Sequence, residues 1–508
     1  MNLAAVLEAR ARSEGWAARP ALIVDGRPYS HDEVHDGAAR AASLLAGRGV
    51  RRGDAVLLAL PDGVELAWAF LAAVRLGALA VPVNPDLPVA DHRVLAADCG
   101  ATLAVCPEEL AERFAGSGGA AGRNGCRVID AATLAGAPAD HQPHPAAPVD
   151  GQDSAYAQYT SGTTGAPRAA VHRHADPPVY GAAFAGPALR LSHDDVLLSV
   201  SKMYFAYGLG NSLFFPLLTG ASAVLHPRRP RPDDVVALIR SHQVTALFAV
   251  PTFYANLLRA EPAEASFTSV RVAVSAGERL PSGVAEPSAA LLGCPLLDSL
   301  GSTEVGQAFV GGALDGSRPG TLGRALPPYE VAVRDDHGAD VPAGAVGMLW
   351  VRGPTVLLRY LGQPEATAAA LDGSWLRTGD LASVDADGFV SHHGRADDME
   401  MVGGITVAPQ EVEELLSLHP AVSEVAVAAV EDPSGASRLH AFVVPAPDAP
   451  VGEQLGRELT EMARSRLAAY KVPRSVIFLE ALPRTATGKL RRFVLRAGAG
   501  AAAVSPAG

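Results

Sequence analysis

Apolar residues recur along the chain in short continuous runs separated by polar, glycine-rich turns. Residues 55–60 read as a buried strand, residues 64–76 as a helix and residues 77–83 as another strand. Strand, helix and strand at this spacing predict a βαβ unit with a parallel sheet. The apolar run returns at residues 101–105, 221–225, 246–250 and 270–274, while residues 1–20 read as a surface amphipathic helix. Residues 116–150, rich in Gly, Ala and Pro, read as loop, irregular above all at 143–148. Past about residue 320 the pattern shortens to alternation, with strands predicted at 329–334, 347–352 and 389–392. A second change falls at Gly394-Arg395-Ala396-Asp397-Asp398. Beyond it a helix (409–418), two strands (422–430 and 439–444) and a second helix (452–467) are predicted. The expected fold class is therefore α/β: a large N-terminal domain, 1–394, with parallel βαβ units, and a small α+β domain, 395–508. Its tail, 497–508, is small and featureless and expected to be disordered.

Composition narrows the class of partner. A chain of 508 residues exceeds what one core supports, and 48% hydrophobic with 19% charged residues is globular. A net charge of −12 leaves no basic excess to meet a nucleic-acid backbone. The short run Arg228, Arg229 and Arg231, broken by prolines, reads as a solvated loop. Cys99, Cys106, Cys126 and Cys294 lack metal-ligand or C-x-x-C spacing, which suits a reducing cytoplasm. No apolar run is long enough to span a membrane, and residues 1–15 lack a signal-peptide core. The expectation is a soluble cytoplasmic protein with neither nucleic acid nor membrane as partner.

Candidate chemistry begins with Tyr159-Thr160-Ser161-Gly162-Thr163-Thr164-Gly165-Ala166-Pro167-Arg168. Such a loop offers backbone N–H groups and hydroxyls to an anion, its glycines admit close approach, and Arg168 adds a fixed charge. A nucleotide triphosphate is the simplest ligand, although an ordinary polar turn has the same composition, and Walker spacing is absent. Further short motifs follow. They are Ser275-Ala276-Gly277-Glu278, Asp298 ahead of Gly301-Ser302-Thr303-Glu304, Thr378-Gly379-Asp380, the 394–398 stretch, and Thr485-Ala486-Thr487-Gly488-Lys489. Each alone reads as a turn.

In order and spacing together, these blocks resemble the adenylate-forming superfamily of acyl- and aryl-CoA ligases, carrier-protein adenylation domains and luciferases. The resemblance runs from about Val50 to Arg496. It is nearest to benzoate-CoA ligases in Phe205-Ala206-Tyr207-Gly208-Leu209-Gly210-Asn211, Val250-Pro251-Thr252-Phe253-Tyr254-Ala255-Asn256 and Leu467-Ala468-Ala469-Tyr470-Lys471-Val472-Pro473-Arg474. It implies a mobile C-terminal lid and an AMP-forming acid–thiol ligase that uses ATP, Mg2+ and CoA, or a carrier-protein phosphopantetheine in trans. The substrate implied is an aromatic acid, and the assembly a monomer or homodimer. Carried over residue by residue, Thr160 to Arg168 would hold the leaving pyrophosphate, Thr303 the α-phosphate and Glu304 the magnesium. Ser275 to Glu278 and Asp298 would line the adenine pocket, with Gly301 and Ser302 beside the nucleotide. Asp380 would meet the ribose, Arg395 ribose or phosphate, and Asp397 would be the hinge. Lys489 would bridge the attacking carboxylate and the α-phosphate. Gly403 and Gly404 would flank the thiol tunnel. Ala206, Tyr207, Gly208, Gln307 and Ala308 would line the acid pocket, with Lys202, Tyr204 and Phe205 beside it.

Five positions depart from the benzoate-ligase pattern. Arg168-Ala169 replaces Lys-Gly at the end of the phosphate loop; a glycine there with positive φ would make alanine cost about 1 kcal/mol. Gln307-Ala308 replaces His-Ile, enlarging the pocket and adding a donor and an acceptor, which points to a ring with polar substituents. Met401 stands where those ligases carry a lysine linked to thioester formation. Transfer to a carrier protein, or ATP- and nitrite-dependent diazotisation of an aryl amine, are the alternatives these departures leave.

Overall fold

The computed structural model describes residues 1–114, 126–160, 167–402, 405–431, 437–447, 449–483, 490–492 and 494–496. Two compact units emerge. The first comprises Met1–Ala345, Leu349–Thr378 and Val384–Ser391; the second comprises Val346–Met348, Gly379–Ser383 and the chain from His392 onward.

The first unit holds two large sheets. The predicted βαβ unit is present: strands Ala55–Leu58 and Leu79–Pro82 pair in parallel, joined by helix Val64–Arg75. They sit inside a seven-stranded sheet that also takes in Ala101–Cys106, Arg127–Asp130, Ser154–Thr160, Arg168–Arg173 and Arg359–Tyr360. The two strands of that unit, Ala55–Leu58 and Leu79–Pro82, are apolar throughout because both faces are buried. In the nine-stranded sheet, Ser222–Leu225, Val196–Ser199, Ala246–Ala249, Val272–Ala276 and Leu296–Gly301 run parallel side by side. The carboxyl ends of four adjacent strands thus release residues 201–207, 250–252, 277–281 and 302–307 at one edge, where open α/β sheets bind ligands.

One expectation fails. Within 116–150, read as loop, the described part contains strand Arg127–Asp130 and helix Ala131–Asp140. Asp130 caps that helix by accepting from the amides of Ala132 and Thr133, at 2.7 and 3.3 Å. A cap and a buried Leu134 outweigh the propensity cost of Gly136 and Pro138. Residues 143–148 have no regular structure, as read.

The second unit has its own core. Strands Val422–Glu431, Ser437–Pro445 and Ser475–Phe478 form a sheet, with helices Pro409–Ser417 and Glu453–Arg466 packed through Val412, Leu416, Leu455 and Leu459. The buried Arg492 guanidinium is held by Glu413 and by the carbonyl of Val427 at 2.7 Å. No helix among the described residues is long and apolar enough to cross a membrane.

Candidate functional site

The phosphate-loop reading rests on a hairpin. Strands Ser154–Thr160 and Arg168–Arg173 are antiparallel, and Thr160 pairs with Arg168, so both ends of the loop are fixed by the ladder. Ser161, Gly162, Thr163, Thr164 and Gly165 lie outside the described residues. Ala169 is fully buried in the second strand with no positive φ, so the glycine-to-alanine departure carries no strain.

Strand Leu296–Gly301 runs out into the turn Ser302-Thr303-Glu304-Val305. Every carbonyl of the last three residues is held. His172 Nε2 donates to Thr303 O at 2.7 Å, Leu357 N to Glu304 O at 2.7 Å, and Thr355 Oγ1 to Val305 O at 2.8 Å. Ser302 Oγ accepts from Val305 N at 3.2 Å. The Glu304 side chain is aimed by Tyr360, whose hydroxyl donates to Oε1 at 2.9 Å. Arg168 lies over the same Tyr360 ring, 5.7 Å from its centroid. Burial, then the Glu304 charge, holds the Tyr360 phenol well above its ordinary pKa, so it stays a donor. One tyrosine therefore joins the carboxylate of the turn to the cation of the hairpin. A cavity of about 460 Å³ opens beside it, walled by Tyr360, Gln363 and Thr367.

Among the described residues no three acidic, His or Cys groups cluster as a metal cage. A magnesium ion carried on a nucleotide would keep waters and take one or two carboxylates. Glu304 Oε2 has no hydrogen-bond partner among the described residues, and it is the oxygen that such a cation would meet.

Next to this turn, Ser275 and Asp298 sit on neighbouring strands and pair in register. Ser275 is fully buried, with its Oγ unpartnered among the described residues; Ala276 is buried, while Gly277 and Glu278 are exposed. Glu278 accepts from Thr252 Oγ1 at 2.8 Å. Burial lifts the Asp298 carboxyl to about 7, against the pull of the Ser299 amide.

The acid-pocket residues come together on one helix and its neighbours. Residues Ala206–Leu209, Gly210–Phe214 and Phe215–Thr219 form a continuous helix whose middle segment is a π turn. Such insertions are frequent at functional sites. Tyr207 donates to Val274 O at 3.1 Å. Gln307 is 3% exposed; its Nε2 faces Asn211 Oδ1 at 3.5 Å and its Oε1 accepts from Ala308 N at 3.0 Å. Asn211 Nδ2 is buried without a partner among the described residues, and Ala308 is buried. Tyr204 and Phe205 meet edge to face at 4.7 Å. Lys202 is 4% exposed and committed elsewhere: its ammonium donates to His226 O at 2.7 Å and faces Asp62 at 3.4 Å. Its carbonyl packs on Gly208.

In the second unit Asp380 is nearly buried, with His392 Nε2 and Arg395 Nη1 at 3.3 and 3.4 Å from its Oδ1. Met401 is exposed on strand Glu400–Val402. The backbone of Asp397 lies in the 3-10 turn Ala396–Asp398. Gly403, Gly404, Lys489 and the tail 497–508 lie outside the described residues. Reading the sequence missed His172, Tyr360 and Asn211. Only the benzoate-ligase-like block from Phe205 to Asn211 carried a signal for one of them.

Comparison with known proteins places this geometry. The model of the AMP-binding enzyme family matches residues 8–361, and that of the AMP-binding enzyme C-terminal domain matches 411–489. A p-hydroxybenzoic acid–AMP ligase of Mycobacterium marinum is 43% identical over 496 residues, covering 97% of this chain and 69% of the relative. A benzoate–CoA ligase of Thauera aromatica is 37% identical, covering 95% and 93%. The benzoate CoA ligase structure from Burkholderia xenovorans superposes with a TM-score of 0.89 at 35% identity, covering 98% of this chain and all of that one. An anthranilate CoA ligase in complex with anthranoyl-AMP gives 0.92 at 34%, covering 99% and 98%.

Proposed function

The chain belongs to the AMP-binding enzyme family, and on that premise we propose that it is an AMP-forming aryl acid:CoA ligase acting on a substituted aromatic carboxylic acid. The observation that carries the reading is the Thr303–Val305 turn, fixed on three successive carbonyls, with Tyr360 joining Glu304 to Arg168.

A carboxylate oxygen attacks the α-phosphorus of ATP; the new O–P bond forms as the bond to the bridging oxygen breaks, and pyrophosphate leaves with its electron pair. Anion meets anion, so the protein's task is placing positive charge and donors in advance. Arg168 and the hydroxyls from Thr160 to Thr164 bind the departing phosphates, Thr303 the α-phosphate, and Lys489 the approaching carboxylate. Glu304 would hold magnesium, which supplies charge neutralisation on the phosphates. Ser275 to Glu278, Asp298, Gly301 and Ser302 line the adenosine site, and Asp380 with Arg395 serves the ribose. A thiol then attacks the acyl carbon, loses its proton and expels AMP. Gln307, Ala308, Ala206 and Tyr207 shape the acid pocket for a ring with a polar substituent, which the Gln307 amide can meet with the donor and acceptor capacity that Asn211 and Ala308 leave open.

Two observations favour a second acceptor. The relative at 43% identity is named an acid–AMP ligase rather than a CoA ligase, and Met401 replaces the lysine expected near the thioester step. A carrier-protein phosphopantetheine acting in trans is that reading.

The test combines Lys489→Ala with a panel of aromatic acids, followed by pyrophosphate release, hydroxamate trapping and product mass with CoA or a loaded carrier. The expectation is a loss of adenylation of about 100-fold or more in the variant, and hydroxy- or aminobenzoates ahead of benzoate in the wild type. Undiminished adenylation without Lys489 overturns the mechanism, and benzoate leading the panel overturns the pocket reading.

A further inference from the structure

His172 is fully buried in strand Arg168–Arg173, four residues past the cation of the hairpin. The same strand therefore carries both Arg168 and the side chain that reaches the opposite turn. Its ring stacks on Tyr156, with centroids 5.0 Å apart and planes at 21°. Nε2 lies 2.7 Å from Thr303 O, an acceptor, so that nitrogen carries the proton and donates. Nδ1 faces Asp176 Oδ2 at 3.2 Å, and Tyr180 Oη stands 3.5 Å away. Asp176 is itself 1% exposed and fixed by Arg173 N, which donates to Oδ2 at 2.9 Å. With Thr303 O at one nitrogen and the anchored Asp176 carboxylate at the other, the ring plane is set from both sides. The tyrosines complete the enclosure, Tyr156 and Tyr180 bonding through their hydroxyls at 2.8 Å.

We propose that His172, oriented by Asp176, is a positioning residue that sets the height of the Thr303–Glu304 turn for the adenylation step. The inference rests on the reading above, that this turn meets the α-phosphate and its cation. Of the three held carbonyls, Glu304 O is bonded by a backbone amide and Val305 O by the hydroxyl of Thr355. Thr303 O is bonded by a long-range side chain from the strand that begins at Arg168. The hydrogen bond thus links the Thr303 carbonyl directly to the strand that carries Arg168. Displacing a phosphate-binding group by about 1 Å costs on the order of 100-fold in rate. Pyrophosphate has already left before the acceptor step, so thioester formation from ready-made aryl-AMP does not depend on the spacing between Thr303 and Arg168.

The test compares His172→Leu, His172→Gln, Asp176→Asn and Glu304→Gln. Three quantities are measured: aryl-AMP formation by pyrophosphate release, thioester formation from supplied aryl-AMP, and the melting temperature. His172→Leu should lower kcat for adenylation by about 100-fold, with the KM for the acid and the second half-reaction little changed. His172→Gln, whose amide nitrogen reaches about where Nε2 stood, should restore most of the loss, and Asp176→Asn should fall between. Glutamine no better than leucine, or equal loss in both half-reactions, overturns the proposal, as does an unimpaired His172→Leu enzyme. Glu304→Gln separates the two levels. If it adenylates normally, the reading of the turn itself fails; if it is inactive while the His172 variants are not, only the positioning role fails.

Discussion

Gln307 shows what a single residue decides. Its amide is buried between the Asn211 carboxamide and its own neighbour's N–H, and Gly210 permits that approach: a Cβ there would stand 1.8 Å from Nε2. Restoring His-Ile through Gln307→His with Ala308→Ile should narrow the pocket and remove the amide. The expected outcome is a shift of kcat/KM toward unsubstituted benzoate over hydroxybenzoates, by about 10- to 100-fold, because one pocket carbon group discriminates by ~1–3 kcal/mol. A substrate panel on the double variant checks it. Glu304 was legible from its Thr-Glu motif. His172 was not, since its role depends on a carbonyl 131 positions away. Lys202 read as a neighbour of the pocket, and its ammonium is paired with Asp62 and His226 O. A basic residue beside aromatic ones in sequence says nothing of which way its long side chain turns.

At the scale of elements, the helix from Ala206 to Thr219 is the informative case. Its first turn packs against the loop before it so closely that a Cβ on Gly208 would lie 2.1 Å from Lys202 O. That oxygen is backbone and cannot swing aside. Gly208→Ala should therefore destabilise the first unit by about 1–3 kcal/mol through overpacking. Urea unfolding should show a lower midpoint with an unchanged slope, and the KM for the acid should rise as Tyr207 shifts. The glycine was visible in the sequence, whereas the π turn that follows it was not, because one extra residue per turn leaves no period to read. Helix Ala131–Asp140 escaped for the opposite reason: its glycine, proline and alanines resemble a loop, and the cap of Asp130 with burial of Leu134 and Ala137 holds it.

Across the whole molecule, buried titratable groups set the response to acid. Burial brings His31, His35 and His174 down to about 4, and each is almost wholly enclosed. His174 Nδ1 accepts from Leu3 N at 3.2 Å, a bond that protonation there would break. Between about pH 6.5 and 4 the unfolded chain binds protons at these sites and the native one does not. Stability is therefore complete above 6.5 and is lost as pH falls through that window, by roughly 1 to 1.5 kcal/mol per pH unit for each group. Asp298, raised to about 7, acts the other way: its native form takes up a proton that the unfolded chain does not, so acidification through that range adds stability. The three histidines outweigh it. Urea midpoints should fall steadily from pH 6.5 to 4.5, and His35→Phe should flatten the slope. An equal slope in that variant would remove His35 from the account.

The sequence by itself determined the α/β class, the parallel strands and the order of the nucleotide and acid motifs. Each of these is written in local pattern: apolar runs of strand length, glycines at turns, short polar blocks after a strand. Tertiary structure alone decided which groups those motifs answer to. Residues 172, 304 and 360 meet only because two sheets bring their strand ends together. The physical reason is range. Propensity and periodicity act over a few residues, whereas a hydrogen bond between a buried imidazole and a distant carbonyl is selected by packing, and packing leaves no mark on the neighbouring sequence.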